Sequence, residues 1–208
     1  MEIKLDNIGR RFNREWIFEG VNYTFQKNTS YAILGHNGSG KSTFLQVVAG
    51  SLSPSAGAIS CNLKGKSLDM EHMYQHVSIV APYLELIEEL SLRELLEFHF
   101  QFKKPLQQLS VEQIISLLGF ERSAAKPVRY FSSGMKQRTK LALALCSDTP
   151  LVMLDEPASN LDSAGITWYR EMISQFGKDR TLIVCSNQEF EYDFCQEKLL
   201  ITDYKRSS

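Results

Sequence analysis

Eight residues constrain this chain more than any others. Gly35-His36-Asn37-Gly38-Ser39-Gly40-Lys41-Ser42 fits the pattern G-x-x-x-x-G-K-[S/T]. A phosphate chain carries several negative charges in a small volume. Binding it takes many short donors and close approach of the backbone. Gly38 and Gly40 permit the backbone angles and leave room. Successive N–H groups then face the phosphates at the positive end of the following helix. Lys41 reaches the terminal phosphate oxygens, and the Ser42 hydroxyl is a ligand for Mg2+. Residues 30–34 read as a buried strand running into this loop, and residues 41–49 as a helix closed by Gly50.

The rest of the pattern fits an α/β fold. Alternation predicts short strands at 2–5 and 22–25. SPSAG, residues 53–57, is a turn, and a hairpin is expected around Lys64-Gly65. A buried strand covers 77–80. Ser91-x-x-Glu94 and Ser110-x-x-Gln113 have the form of capping boxes. Each opens an amphipathic helix, over 92–102 and 111–118. Further on, 151–154 and 181–185 are buried strands, followed by helices over 164–176 and 189–195. A last strand at 198–201 precedes the polar tail TDYKRSS.

Alternating strands and helices predict a mainly parallel sheet. The expected fold class is α/β, with a phosphate-loop core, a small antiparallel β subdomain and an inserted helical subdomain. The expected division is one domain, with residues 1–81 and 147–208 as the core and 82–146 as the helical insertion.

Bulk properties narrow the function. A chain of 208 residues with 43% apolar and 23% charged residues can bury a core without disulfides or metals. Its net charge of −1 gives no basic footprint, so no nucleic-acid partner is expected. The four cysteines form no C-x-x-C pair and fit a reducing cytoplasm. The N-terminus has no signal-peptide character. No apolar run approaches the ~18 residues of a membrane span. Any membrane role must run through a partner.

LVMLDEP, residues 151–157, is an apolar strand ending in two carboxylates. Open parallel sheets bind ligands at such strand ends. Asp155 is expected to hold Mg2+ through a water. Glu156 points differently and is expected to polarise the attacking water as general base.

With these motifs the chain resembles the ATP-binding cassette (ABC) ATPases. Phe131-Ser132-Ser133-Gly134-Met135-Lys136-Gln137-Arg138 is similar to the family signature LSGGQ, and Ser159-Asn160-Leu161-Asp162 to its D-loop. Phe12 lies about where the family places an aromatic that stacks on adenine. The resemblance implies ATP and Mg2+ as cofactors. Nucleotide contacts would come from Phe12, Asn37, Gly38, Ser39, Gly40, Lys41, Ser42 and Thr43. Metal contacts would come from Ser42 and Asp155, and catalysis from Glu156, Lys41 and Asn187. Ser132, Ser133 and Gly134 would reach the γ-phosphate held by a second, opposed cassette. A separate integral-membrane permease is the implied partner, with the chain at the inner face of the cell membrane.

The chain departs from the family pattern at several points. Pro82 stands where a glutamine is usual after the strand at 77–80, with Tyr83 and Glu85 as neighbouring substitutes. Asn187 stands at the position of the switch histidine. An asparagine amide can hydrogen-bond a phosphate but carries no proton to give. The signature has Ser133 and Met135 for Gly and Gln. Ser163, which follows the D-loop, is unremarkable there. The implied activity is ATP hydrolysis that powers transport. Two alternatives remain open here: a soluble non-transport ABC ATPase, and a cassette that holds ATP with little turnover. The signature and D-loop argue against a phosphate-loop kinase.

Overall fold

The computed structural model describes residues 1–205, so Arg206–Ser208 of the polar tail lie outside the described residues. Asn13, at φ 53°, turns a long antiparallel hairpin between β1 (Glu2–Phe12) and β2 (Glu15–Phe25). Both strands exceed the predicted four residues. Register shifts between Leu5, Ile8, Arg10 and Arg11 break the alternation on which the sequence reading relied. β4 (Ala56–Leu63) and β5 (Lys66–Leu68) form the expected second hairpin. Lys64 and Gly65 both take positive φ there, as a tight two-residue turn requires. The four strands make an antiparallel sheet in the order β2-β1-β4-β5.

A second sheet has the order β6-β7-β8-β3-β9. Its strands are β3 (Ser30–Leu34), β6 (Val77–Val80), β7 (Leu151–Asp155), β8 (Thr181–Cys185) and β9 (Glu197–Leu200). The pairs β7–β8, β8–β3 and β3–β9 are parallel. β7 and β8 are buried at every position, so they read as unbroken apolar runs. Helix α1 (Lys41–Val48) packs on this sheet and places Phe44, Leu45, Val47 and Val48 in the core. Phe18, Phe25, Tyr31 and Phe44 meet edge to face within it.

Capping sets the helices α2 (Leu92–Phe102) and α3 (Val111–Leu118). Ser91–Glu94 and Ser110–Gln113 close reciprocal capping boxes at the expected residues. α4 (Ser133–Leu145) starts on the Ser132 cap, and α5 (Ser163–Phe176) on Asp162. α6 is only Glu189–Tyr192, shorter than the predicted 189–195, because the chain turns after Asp193 to enter β9. β9 likewise ends at Leu200, and Ile201–Tyr204 forms a 3-10 turn.

The chain divides into two compact units. The first comprises Met1–Ile79, Pro150–Glu156 and the chain from Asp179 onward, and holds both sheets and α1. The second comprises Val80–Thr149 and Pro157–Lys178, in which α2, α3, α4 and α5 pack in succession. Residues 157–178 group with the helices of the second unit.

Candidate active site

β3 ends at Leu34, and the glycine loop carries the chain over to α1. At two glycines an added Cβ would force a neighbouring side chain to move. A Cβ on Gly35 would lie 2.5 Å from Ser39 Oγ, and one on Gly40 2.5 Å from Ile17 Cγ2. Gly40 also takes φ 103° as the residue that opens α1. The N-terminus of α1 has no side-chain cap and no acid in its first turn. Its positive end is therefore uncompensated. The loop encloses a cavity of about 240 Å3 lined by Asn37, Gly38, Ser39, Gly40, Lys41, Ser42, Thr43, Glu156 and Ile17.

Lys41 is the buried cation of this cavity, 6% exposed. Its Nζ donates to Gly35 O at 2.7 Å, His36 O at 3.3 Å and Asn187 Oδ1 at 3.2 Å. Asn187 Nδ2 in turn donates to Asn37 Oδ1 at 2.7 Å. One amide thus ties the end of β8 to both the lysine and the loop.

Asp155 ends β7 and is 1% exposed. Burial pushes its carboxyl above the usual range, a hydrogen bond from Ser42 opposes this, the Glu156 charge adds to it, and Lys41 opposes it. Asp155 Oδ2 is buried with no partner, and so is Ser39 Oγ. A buried carboxylate oxygen left unpaired beside a hydroxyl is costly without a further ligand. A divalent cation would fit that unpartnered oxygen. Among the described residues no cluster of three His, Cys, Asp or Glu side chains can hold a metal alone. The nucleotide's phosphate oxygens and water would have to complete its shell. Glu156 takes φ 47°, and its N–H donates to Cys185 O at 2.9 Å. Non-glycine residues seldom adopt this region, and strained residues cluster at working sites.

Phe12 does not join this group. It is 46% exposed with the Arg10 guanidinium 4.6 Å from its ring centre, and it does not line the cavity. Ile17 from β2 does line it, and sequence reasoning missed it. Nothing local marks Ile17, because its place depends on strand pairing. Pro82, Tyr83 and Glu85 are all exposed.

Ser132, Ser133 and Gly134 line a different cavity of about 310 Å3, with Asn160, Leu161 and Asp162. The Ser132 hydroxyl accepts from Met135 N–H at 3.2 Å. Gly134 passes so close to Asn160 that a Cβ would sit 3.0 Å from its carbonyl oxygen. Arg138 lies between the Phe120 and Trp168 rings, at 5.1 and 4.5 Å, and donates to Leu118 O at 2.8 Å. Trp168 Nε1 donates to Leu117 O, also at 2.8 Å. These two donors satisfy carbonyls at the end of α3.

A parallel sheet, a glycine loop opening a helix after β3, and a buried acid at the end of β7, one strand removed from β3, define a P-loop nucleotide hydrolase. Residues 18–159 match the family model described as ABC transporter, and the chain belongs to that family. It is an ATPase cassette that powers a membrane transporter. Among curated relatives, it is 30% identical over 190 residues to a lantibiotic transport ATP-binding protein, SrtF, of Streptococcus pyogenes. That match covers 89% of this chain and 79% of the relative. It is 31% identical over 176 residues to a cytochrome c biogenesis ATP-binding export protein, CcmA, of Paramagnetospirillum magneticum, covering 82% and 80%. A putative ABC transporter ATP-binding protein from Pyrococcus furiosus has the same fold, with a TM-score of 0.81 at 18% identity, covering 99% of this chain and 100% of that one. So does a dimeric ATP-binding cassette solved in a post-hydrolysis state with ADP and Pi, at 0.82 and 21%, covering 99% and 97%. Among the described residues no helix is long and apolar enough to cross a membrane.

Proposed function

We propose that this cassette binds Mg-ATP in the cavity around Lys41 and hydrolyses it with Glu156 as general base. The observation that carries the reading is the grouping of a buried lysine, an unpaired Asp155 oxygen and Glu156 at one glycine loop. The phosphates lie against the N–H groups of Gly38 to Thr43, where the uncompensated end of α1 favours negative charge. Lys41 exchanges its carbonyl partners for phosphate oxygens. Ser42 and Asp155 would hold Mg2+, which would supply positive charge against the phosphates. Glu156 accepts a proton from the water that attacks the γ-phosphorus, and the bond to the leaving ADP oxygen breaks. Asn187 orients the terminal phosphate through its amide and takes no part in proton transfer. Phe12 supplies an adenine contact once its ring is turned toward the nucleotide.

Two cassettes oppose each other across two nucleotides in this reading. Ser132, Ser133 and Gly134 of one contact the γ-phosphate bound by the other. The N-terminus of α4, where Ser132 is the cap and Ser133 the first residue, suits that role. A separate integral-membrane permease receives the work, which keeps the cassette at the inner face of the membrane. The relative named as a cytochrome c biogenesis export protein favours export as the direction. The test is ATP affinity measured with and without Mg2+ for the wild type, Asp155→Asn and Ser42→Ala. Mg2+ should tighten binding in the wild type, and either substitution should remove most of that gain. An unchanged Mg2+ effect in both variants would refute the metal assignment.

A further inference from the structure

Behind Asn187 lies a buried polar turn that no motif announced. Ser186 is 0% exposed and Glu191 is 1% exposed, although both are polar. The Ser186 hydroxyl donates to the Glu191 carboxylate. A hydroxyl has one proton to donate and lone pairs to accept with. With that proton committed, the Ser186 oxygen accepts from Gln188 N–H at 2.8 Å. Ser186 N–H donates to Ile33 O at 3.3 Å, and Glu191 N–H to Gln188 O at 3.0 Å. Both chain neighbours of Asn187 are therefore fixed, one to β3 and the other to the first turn of α6. Between them the Asn187 side chain reaches Lys41 Nζ at 3.2 Å and Asn37 Oδ1 at 2.7 Å.

We propose that Glu191, acting through Ser186, is a positioning residue that aims the Asn187 amide at Lys41 and the glycine loop. A buried carboxylate is expensive, and its retention calls for a task. Here the Ser186–Glu191 hydrogen bond fixes the rotamer of Ser186 and thereby the turn at residues 186–188. Asn187 is a short neutral side chain with no charge of its own to draw it to the phosphates. Its placement must be prepared in advance by the backbone that carries it. The inference rests on the proposed nucleotide site for its catalytic consequence, but the positioning itself is a property of the chain without nucleotide.

Two readouts separate these levels. The first is the side-chain amide resonance of Asn187 in the nucleotide-free protein. It should be displaced from the free-asparagine position in the wild type and in Glu191→Gln, whose amide oxygen can still accept the Ser186 hydroxyl. It should collapse toward that position in Ser186→Ala. The second is a double-mutant cycle in steady-state hydrolysis. Ser186→Ala should lower kcat about tenfold with little change in KM, and should have no further effect in an Asn187→Ala background. A displaced Asn187 resonance in Ser186→Ala would overturn the proposal. So would equal losses of kcat with and without Asn187. If the wild type does not turn over, the hydrolysis reading fails, and the resonance decides the positioning claim alone. Ser186→Ala and Glu191→Gln change few atoms. If either fails to fold, Ser186→Cys, a weaker donor, should give a partial collapse, and an unmoved resonance there would count against the relay.

Discussion

Asn187 Oδ1 accepts a hydrogen bond from Lys41 Nζ at 3.2 Å, so the loop lysine is held by a side chain two residues beyond the end of β8. Lys41 has two further partners, both backbone carbonyls. Phosphate must displace them, and a buried ammonium pays for that exchange only with a charged acceptor. Lys41→Ala should weaken ATP binding about 10- to 100-fold, the range for a lost hydrogen bond to a charged group. Equilibrium titration with a fluorescent ATP analogue measures it. Unchanged affinity would remove Lys41 from the site.

The amide of Asn187 does not titrate near neutral pH. Asn187→His places an imidazole with an unperturbed pKa of about 6.5 at the same point. The variant's kcat against pH should gain a limb between about pH 6 and 7 that the wild type lacks. Superimposable profiles would show that position 187 does not touch the reacting phosphate.

The glycines of the loop are not equivalent. A Cβ on Gly38 meets nothing within 4 Å, so Gly38→Ala carries only the cost of its φ of 74°, about 1 kcal/mol. Gly40→Ala adds a 2.5 Å contact with Ile17 to a φ of 103°. Its ATP affinity should fall at least tenfold further than that of Gly38→Ala. Equal affinities would show that Ile17 yields freely.

His99 sits half-buried on α2, with Nε2 2.9 Å from Ser147 Oγ. Burial first, and then the Lys103 charge, push its pKa down to about 4. The unfolded chain, at about 6.5, binds a proton that the folded chain refuses between those values. Stability from the neutral ring is therefore complete above pH 6.5 and is lost as pH falls toward 4. The loss is on the order of 2 kcal/mol after allowance for solvent screening. Urea unfolding at pH 4.5, 5.5 and 7.5 should show this slope in the wild type and a shallower one in His99→Gln. Parallel slopes would assign the acid sensitivity elsewhere.

These cases also show which parts of the molecule were readable from sequence. Capping boxes at Ser91 and Ser110 were legible because both partners lie within three residues. The turn at Lys64-Gly65 was legible for the same reason. The length of β1 and β2 was not, because Asn7 and Asn13 take positive φ and register shifts interrupt the alternation. The glycine loop and the Asp155-Glu156 pair stood out by spacing, and the fold brings the loop and Glu156 to one cavity while Asp155 takes a hydrogen bond from Ser42. Ile17 joined them only through strand pairing. The Ser186–Glu191 contact spans five residues, but it required the chain to turn at Gln188 and both groups to be buried. Neither condition is written in the residue types. Phe12 shows the converse, since its position in the sequence matched the family while its ring lies against Arg10.

Hydrolysis at this cavity by Glu156 is tested most directly by phosphate release at saturating Mg-ATP, with mass followed by light scattering, for the wild type beside Glu156→Gln. The wild type should release phosphate. Glu156→Gln should bind ATP, release almost none and accumulate as a dimer. Release by Glu156→Gln at the wild-type rate would contradict the assignment of the general base.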